Sequence, residues 1–279
     1  MQPSTSGADG SSYIIRGGLS GRERLRVIAR VMQPTTRALL DRVGVLEGAH
    51  CLDAGCGGGD VALELAARAG SAGRVVGVDF DEEKLATART EAVAAGRSVE
   101  YRRADVTTDD LGAGFDLVYT RFLLTHLRSP AGACDRLRRA LRPGGAVIVE
   151  DIDFSGSFSH PDNPAYRRYC ELYVATARAR GVDPNIGPRL PELLRNAGFE
   201  QVQVSAVQPV GAVSEGLEGD VKLGCALTLE NIAEAAVAAG VAQREELDRV
   251  TDELYRLAAD AVTLLSFPRM VQAWARRPA

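Results

Sequence analysis

The 279-residue chain has room for one large α/β domain, or for one domain with a substantial insertion. A quarter of the residues are charged and the net charge is −4, which argues against nucleic acid as the main partner, because such proteins normally carry a basic face. No apolar run approaches the length of a membrane span, and the polar beginning has no signal-like apolar core. The sequence therefore predicts a soluble, cytoplasmic protein.

The cysteines indicate reduced thiols and not a disulfide framework. Their number is odd, no two form a CxxC pair, and they occupy dissimilar settings: Cys51, Cys56, Cys134, Cys170 and Cys225. Cys56 lies inside a run of glycines, where a nucleophilic role is open. Its expected contribution there is to be small enough to fit beside a ligand.

The chain begins with a low-complexity segment, and residues 1–12 are predicted to form a disordered tail. Residues 13–48 predict a helical cap. One helix begins near Ser20, Pro34 is expected to interrupt it, and a second helix follows. Arg22 and Arg24 of the first helix are expected to be solvated.

A strand, a tight glycine loop and a helix are predicted for residues 50–66. The apolar run at residues 51–52 ends in DAGCGGGD, and apolar residues at helical spacing begin directly afterwards. Gly55 and Gly57 allow a sharp turn and a close approach to a ligand, because they have no Cβ. Several classes of nucleotide-type binders share such a loop, so it predicts a ligand site without identifying the ligand.

Strands and helices alternate after this opening, which predicts a Rossmann-like α/β fold with parallel strands and helices on both faces. The helices are expected near residues 59–69, 81–95 and 129–142. Ligands of such sheets bind outside the carboxyl ends of the strands, where the strand order reverses. The residues expected at that edge are Asp53, Gly55, Asp79, Phe80, Asp105, Thr120, Arg121, Glu150 and Asp151.

Five segments, in order, make the chain similar to a known family: LDAGCGGG, VVGVDF, ADV, FDLVYTRFLLTHL and LRPGGAVIVEDID, within residues 49–153. In this combination the chain resembles the class I S-adenosylmethionine-dependent methyltransferases. Within that class it resembles the small-molecule enzymes similar to ubiquinone and menaquinone C-methyltransferases and natural-product methyltransferases. The resemblance implies S-adenosyl-L-methionine as the cofactor, and methyl transfer to carbon or oxygen of a small, fairly apolar metabolite that is quinone-like or secondary.

The resemblance also implies a seven-stranded, mostly parallel sheet whose final strand is antiparallel. Residues 49–211 are then the cofactor-binding core, residues 212–264 a helical insertion before the last strand, and residues 265–279 that last strand. The insertion is expected to be a lid, with an ordinary helical layer or a homodimer surface as alternatives. Three tyrosines on one face of a helix predicted at 164–180 either line a substrate pocket or form an ordinary amphipathic face: Tyr166, Tyr169 and Tyr173.

The cofactor contacts that the resemblance implies are Tyr13, Asp53, Gly55, Cys56, Gly57, Asp79, Phe80, Asp105, Val106, Thr120 and Arg121. The glycine loop would hold the amino-acid and ribose part through backbone groups, and Asp53 would meet the ammonium or brace the loop. Asp79 would accept the ribose hydroxyls, and Phe80 would lie against the adenine. Asp105 and the Val106 N–H would read the adenine edge. The Arg121 guanidinium would bind the carboxylate of the methionine end.

The catalytic candidates are His126, Glu150 and Asp151. His126 is expected beside the methyl group, and an ordinary histidine pKa suits proton transfer near neutrality; a packed or capping histidine is the alternative. The acids, with Asp153, could act as a base, steer a cationic intermediate or bind a divalent metal. The Asp-Asn pair of catechol O-methyltransferases is absent downstream, so no metal is expected.

Other functions stay open at this stage. The Asn/Asp-Pro-Pro-Tyr/Phe motif of amino-group methylation is absent, because TRFL stands at residues 120–123, and this weakens a nitrogen or protein/RNA target. A non-methylating S-adenosylmethionine-binding protein or a cyclase has the same sequence features. An NAD(P)-dependent oxidoreductase would need a Tyr/Lys or Ser/Tyr pair that is not found at suitable spacing. The expected partner is a small-molecule substrate, with no nucleic acid and no membrane span, and a homodimer is open.

Overall fold

The computed structural model describes residues 18–279, with side chains from residue 21 onward. The predicted tail at 1–12 and the predicted cofactor contact of Tyr13 lie outside the described residues.

The described chain contains ten strands: β1 (His50–Ala54), β2 (Arg74–Asp79), β3 (Glu100–Arg103), β4 (Phe115–Arg121), β5 (Leu141–Asp153), β6 (Ser159–His160), β7 (Glu200–Val207), β8 (Val210–Gly211), β9 (Leu264–Ser266) and β10 (Arg269–Arg276). Seven of them form the main sheet in the order β3-β2-β1-β4-β5-β10-β7. All pairs among the first five strands are parallel, whereas β10 is antiparallel to both β5 and β7. The predicted Rossmann-like sheet with an antiparallel final strand is confirmed.

Eight α-helices connect and cover these strands in the described residues: α1 (Gly18–Val43), α2 (Asp60–Ala69), α3 (Glu82–Ala94), α4 (Pro130–Ala140), α5 (Pro164–Ala179), α6 (Leu190–Asn196), α7 (Gly216–Ala238) and α8 (Arg244–Ala259). The helices predicted between the first strands are all present. From residue 18 onward, no helix combines the length and apolarity that crossing a bilayer requires.

One continuous helix, α1, replaces the two helices predicted for the cap, so the predicted interruption at Pro34 is wrong. An internal proline removes one backbone hydrogen bond and costs about 3 kcal/mol in an isolated helix. Here both halves of the helix are held by packing. Val31 and Met32 lie in one apolar cluster, and Leu39 and Leu40 lie in another against the sheet. The burial of both halves outweighs the local cost.

Helices cover both faces of the sheet, and a third apolar cluster lies beyond its carboxyl edge. Apolar side chains from α4 and α6 pack on one face, and those from α2, α3 and the second half of α1 pack on the other. The third cluster joins α5, α7 and α8 to the first half of α1. It places these helices over the edge where the strand order reverses between β1 and β4.

The helical segment predicted at 212–264 contains α7 and α8. Short strands from before this segment and from its end, which the sequence pattern did not predict, lie beside α7. β6, β9 and β8 form a three-stranded antiparallel sheet beside α7. These strands are two or three residues long, which is too short to produce a readable alternation. Whether the segment acts as a lid or a dimer surface stays a prediction.

Candidate functional site

A cavity of about 860 Å³ opens at the carboxyl edge of β1–β4 and extends under α1, α5 and α7. The loops that follow β1, β2, β3 and β4 form one side of it. Nine of the predicted site residues lie on its wall: Gly55, Cys56, Gly57, Asp79, Phe80, Asp105, Val106, Arg121 and His126. The topological rule that strand ends meet at one edge thus brings residues far apart in the sequence to one cavity.

The glycine loop after β1 is fastened to the neighbouring strand by its own N–H groups. The N–H groups of Gly55 and Cys56 donate to the Val78 carbonyl at 2.8 and 2.9 Å. The Gly57 N–H donates to Asp79 Oδ2 at 3.0 Å. These three donors therefore set the shape of the loop, and the predicted contact of its backbone groups with a ligand stays a prediction.

Asp79 combines this bracing role with unused hydrogen-bonding capacity. Its Oδ1 accepts the Asp81 N–H at 3.0 Å, and Oδ2 accepts the Gly57 N–H. A carboxylate has about four acceptor positions, so these two bonds leave room for two hydroxyl donors from the cavity. The carboxylate lies on the cavity wall and is 7 % exposed. Its geometry suits a vicinal diol, which is what the predicted ribose contact requires.

The wall beyond Asp79 offers a flat apolar surface and an exposed acid. The Phe80 ring is 42 % exposed, and the Lys84 ammonium lies 5.6 Å from its centroid. Asp105 is exposed, and its Oδ1 accepts the Thr107 N–H and hydroxyl at 2.8 and 2.6 Å. Val106 is buried on the same wall. All three residues line the cavity, and their adenine contacts stay a prediction.

Arg121 is held by hydrogen bonds at the floor of the cavity. Its Nη2 donates to Asp60 Oδ2 at 2.7 Å, its Nη1 donates to Thr36 Oγ1 at 3.3 Å, and its side chain is 9 % exposed. Burial opposes the charged form, but the Asp60 carboxylate and the acids behind it raise the arginine pKa above its usual range. The guanidinium is therefore a permanent cation on the cavity wall.

Glu150 lies behind this arginine and does not reach the cavity. It is fully buried inside β5 and accepts the Thr36 hydroxyl at 3.0 Å and the Gln272 amide at 2.6 Å, together with the Tyr119 hydroxyl. All three donors are side chains of the protein that hold Glu150 in place. Its predicted catalytic role finds no support in this position.

Two residues predicted to contact the cofactor also lie behind the wall. Asp53 is 2 % exposed, and burial, with the nearby Asp60 carboxylate, raises its pKa to about 8 although the Ala62 backbone N–H binds it. Thr120 is fully buried, and its hydroxyl has no hydrogen-bond partner within the described part of the chain. Of the two roles considered for Asp53, this place under the loop favours bracing.

Asp151 anchors the turn that carries His126. Its Oδ2 accepts the Thr125 N–H at 3.1 Å, its Oδ1 accepts the Ile152 N–H at 2.9 Å, and burial raises its pKa to about 7. His126 lies on the cavity wall in the short 3₁₀ helix Leu124–His126. Burial and then the charges of Arg24 and Lys84 lower its pKa to about 3. The histidine is thus neutral at physiological pH, and Asp151 is a structural anchor for it.

The inner part of the cavity is lined by apolar and aromatic side chains. We call this part the aromatic chamber: Leu25, Ile28, Ile152, Phe154, Tyr169, Tyr173, Thr228, Phe267, Pro268 and Met270. Phe154 stacks on Tyr173 at 4.2 Å between ring centroids and meets Tyr169 edge-on at 6.1 Å. Tyr166 lies off the wall, and its hydroxyl donates to the Ser266 carbonyl at 2.6 Å. Two of the three tyrosines thus line a pocket.

Arg24, which the sequence predicts to be solvated, is only 8 % exposed and lies on the wall of the cavity beside this chamber. Arg22, in contrast, is exposed as expected. Helical spacing provides one signal for the difference, because Arg24 and Ile28 are four residues apart and so lie on the same face of α1.

The acids at the end of β5 are used by the fold. Asp153 accepts two hydrogen bonds from Arg269, at 3.1 and 2.5 Å, and two from Ser155. Between residues 18 and 279, no group of three or more histidine, cysteine, aspartate or glutamate side chains is arranged to hold a metal ion.

The chain is similar to known proteins in sequence and in fold. The family model described as Methyltransferase domain matches residues 51–145. The 2-phytyl-1,4-naphthoquinone methyltransferase of Trichormus variabilis is 32% identical over 173 residues, which cover 58% of this chain and 72% of that protein. Phosphoethanolamine N-methyltransferase 3 of Arabidopsis thaliana is 29% identical over 169 residues, covering 60% of this chain and 32% of that protein.

A solved structure from Bacillus halodurans, described as a candidate methyltransferase, has the same fold with a TM-score of 0.58 and 20% identity. The match covers 87% of this chain and 98% of that one. The chain spans about half or less of the length of several curated relatives, with 56%, 32% and 49% covered in three of them.

Proposed function

This chain belongs to the class I S-adenosylmethionine-dependent methyltransferases, and we propose that it moves a methyl group from S-adenosyl-L-methionine to carbon or oxygen of a small, largely apolar metabolite. One observation carries the proposal. A single cavity of about 860 Å³ joins the edge with Asp79, Phe80 and Val106 to the aromatic chamber. Pockets for one small ligand are usually about 300–1,000 Å³, so the volume is large enough for the cofactor, and the adjoining aromatic chamber offers a place for the acceptor.

The residues present fit the cofactor. Asp79 has acceptor capacity for a ribose diol, the Phe80 ring offers a flat surface for a purine, and Arg121 is a permanent cation for a carboxylate. The bound cofactor supplies an electrophilic methyl group on a sulfonium. The chamber would hold the acceptor against that methyl group.

The protein's own contribution to methyl transfer is positioning and the exclusion of water. Aromatic walls hold an acceptor in place, and correct placement alone is worth about 7–11 kcal/mol of a barrier. His126 is neutral and has a pKa of about 3, so it is a weak base. The acceptor is therefore proposed to be a nucleophile that needs little help in losing a proton, such as an acidic phenol or an activated carbon.

The charges around the chamber favour carbon or oxygen over nitrogen. The residues of the aromatic chamber include no carboxylate, and Arg24 beside them is a cation. A protonated amine would meet repulsion there without a counter-ion. The net charge of −4 supports a small molecule over nucleic acid as the partner. A cytoplasmic location is proposed from the sequence alone.

Calorimetry tests the cofactor half of the proposal. We expect the wild-type protein to bind S-adenosylhomocysteine and not NADPH. Asp79→Asn should weaken that binding by at least about tenfold, because a hydrogen bond to a charged group is lost. Asp110→Asn is the matched control, since this exposed aspartate accepts the Gly112 N–H away from the cavity. Binding of NADPH alone, or of neither compound, would sink the proposal.

The transfer half is tested with S-adenosylmethionine whose methyl group carries deuterium. A metabolite extract is incubated with the protein and searched by mass spectrometry for labelled products. Labelled products with the wild type, reduced with Asp79→Asn, support methyl transfer. Tight cofactor binding with no labelled product would point to the non-methylating alternative.

A further inference from the structure

Arg24 is built into the wall of the cavity. It is 8 % exposed, and its Nε donates to Thr228 Oγ1 at 3.1 Å. The Thr228 hydroxyl in turn donates to the Gly224 carbonyl at 2.6 Å, inside α7. Because the threonine hydroxyl is fixed by its own helix, it fixes the plane of the guanidinium. Two of the three guanidinium nitrogens, Nη1 and Nη2, are left for other acceptors.

No carboxylate within the described residues forms an ion pair with Arg24, whereas two other cations with little exposure on this wall each have an acid beside them. Arg121 pairs with Asp60 at 2.7 Å, and Lys84 lies 3.6 Å from an Asp81 carboxylate oxygen. A buried cation without a partner is costly, and proteins tolerate one where a ligand supplies the opposite charge. The placement of Arg24 thus points to an anion that enters the cavity.

The surroundings of Arg24 define what else that ligand carries. Leu25 and Ile28 follow it on α1, and the stacked pair Phe154 and Tyr173 lines the same chamber. After burial, the charge of Arg24 is the second cause of the lowered His126 pKa, which places the guanidinium within electrostatic reach of the predicted methyl-transfer position. A ligand with an anionic group on an apolar body would match both the Arg24 guanidinium and the apolar side chains of the chamber.

We propose that Arg24 is a specificity residue of the acceptor subsite, and that the acceptor carries an oxyanion, carboxylate or phosphate, on an apolar, ring-containing body. The Nη atoms of Arg24 bind the oxyanion in the planar, forked geometry that guanidinium groups offer. The body packs against the stacked aromatic rings. This inference rests on the proposed function and adds the chemical class of the acceptor.

Two sources of an oxyanion have to be separated, because the cofactor also carries a carboxylate. The proposal assigns Arg24 to the acceptor. It therefore requires that loss of the Arg24 charge leaves the affinity for S-adenosylhomocysteine unchanged. Loss of the Arg121 charge, in contrast, should lower the affinity for S-adenosylhomocysteine.

The test compares probes of matched shape in protein saturated with S-adenosylhomocysteine. Calorimetry measures 2-naphthoate and 2-naphthyl phosphate against neutral 2-naphthamide, with wild type, Arg24→Met and Arg24→Lys. Arg37→Met is the control, because it removes an exposed charge from the same helix, where Arg37 pairs with Glu64 at 2.9 Å. Thermal unfolding shows that each variant is folded, and the affinity for S-adenosylhomocysteine is measured separately.

We expect wild type and Arg37→Met to bind at least one anionic probe about tenfold or more tightly than the amide, the usual effect of a hydrogen bond to a charged group. Arg24→Met should lose this preference, and Arg24→Lys should retain part of it. Equal binding of the probes by wild type, or binding of none, overturns the proposal. So does a loss of S-adenosylhomocysteine affinity in Arg24→Met, which would assign the arginine to the cofactor. Failure of the wild type to bind S-adenosylhomocysteine at all would instead refute the proposed function.

Discussion

The carboxylate of Asp151 accepts the backbone N–H of Thr125 at 3.1 Å and so ties the turn that carries His126 to strand β5. The contact joins a strand in the middle of the sheet to the wall of the cavity. Its energetic value depends on pH, because burial raises the Asp151 pKa to about 7.

Asp151→Asn is expected to change how stability varies with pH. The folded-state pKa lies above the unfolded value, so the folded protein binds the extra proton between pH ~4 and 7, and stability from this group is lost as the pH rises through 7. Relative to Asp151→Asn, the wild type should lose up to roughly 4 kcal/mol over that interval. Urea unfolding of both proteins from pH 5 to 8 measures the difference. If the stability of the wild type relative to Asp151→Asn stays constant or increases as the pH rises, the raised pKa is contradicted.

His126 is expected to stay neutral from pH 5 to 8, because burial and then the charges of Arg24 and Lys84 hold its pKa near 3. The sign is opposite to that of Asp151. The unfolded histidine binds a proton that the folded one does not, so this contribution is present above pH ~6.5 and is lost as the pH falls toward 3.

The imidazole resonances of His126, assigned by comparison with His126→Asn, test this expectation. They should not shift between pH 5 and 8. A titration midpoint in that range would show that the imidazole ionises near neutrality and would revive His126 as a general base.

Arg121→Met should destabilise the protein by about 3 kcal/mol, because it leaves Asp60 and Glu150 without their shared cation. The value lies at the lower end for a buried pair, since the Asp60 side chain is 38% exposed. Arg142→Met breaks an exposed pair with Asp116 and should cost less than about 1 kcal/mol. Chemical denaturation measures both. Equal losses in the two variants would mean that burial of the Arg121 pair has no energetic consequence.

The sequence predicted the parts of the site that follow from strand order. Asp79 ends β2 and Phe80 follows it, and any parallel sheet of this topology brings them to the edge beside the glycine loop. Glu150 and Asp151 were placed at the same edge, because a strand pattern does not show where the strand ends. β5 continues to Asp153, and β10 pairs with it along its whole second half, which buries both acids.

The position of Arg24 depends on a contact that no local pattern contains. Its partner Thr228 is 204 positions away, on a helix whose packing against α1 is a tertiary event. The predicted helix break at Pro34 is wrong for a related reason, because apolar clusters on both sides of the proline keep α1 continuous through it.

The position of β10 between β5 and β7 has a consequence for the order in which the protein can form during synthesis. β7 has no other partner in the main sheet, and β5 has an open edge, until Arg269–Arg276 has left the ribosome. A nascent chain therefore carries two strands with unpaired backbone groups, which is the arrangement that favours pairing with other chains. The same last strand delivers Gln272 to the buried carboxylate of Glu150. Completion of the main sheet and the hydrogen bond from Gln272 to the buried Glu150 therefore depend on one event, the pairing of β10.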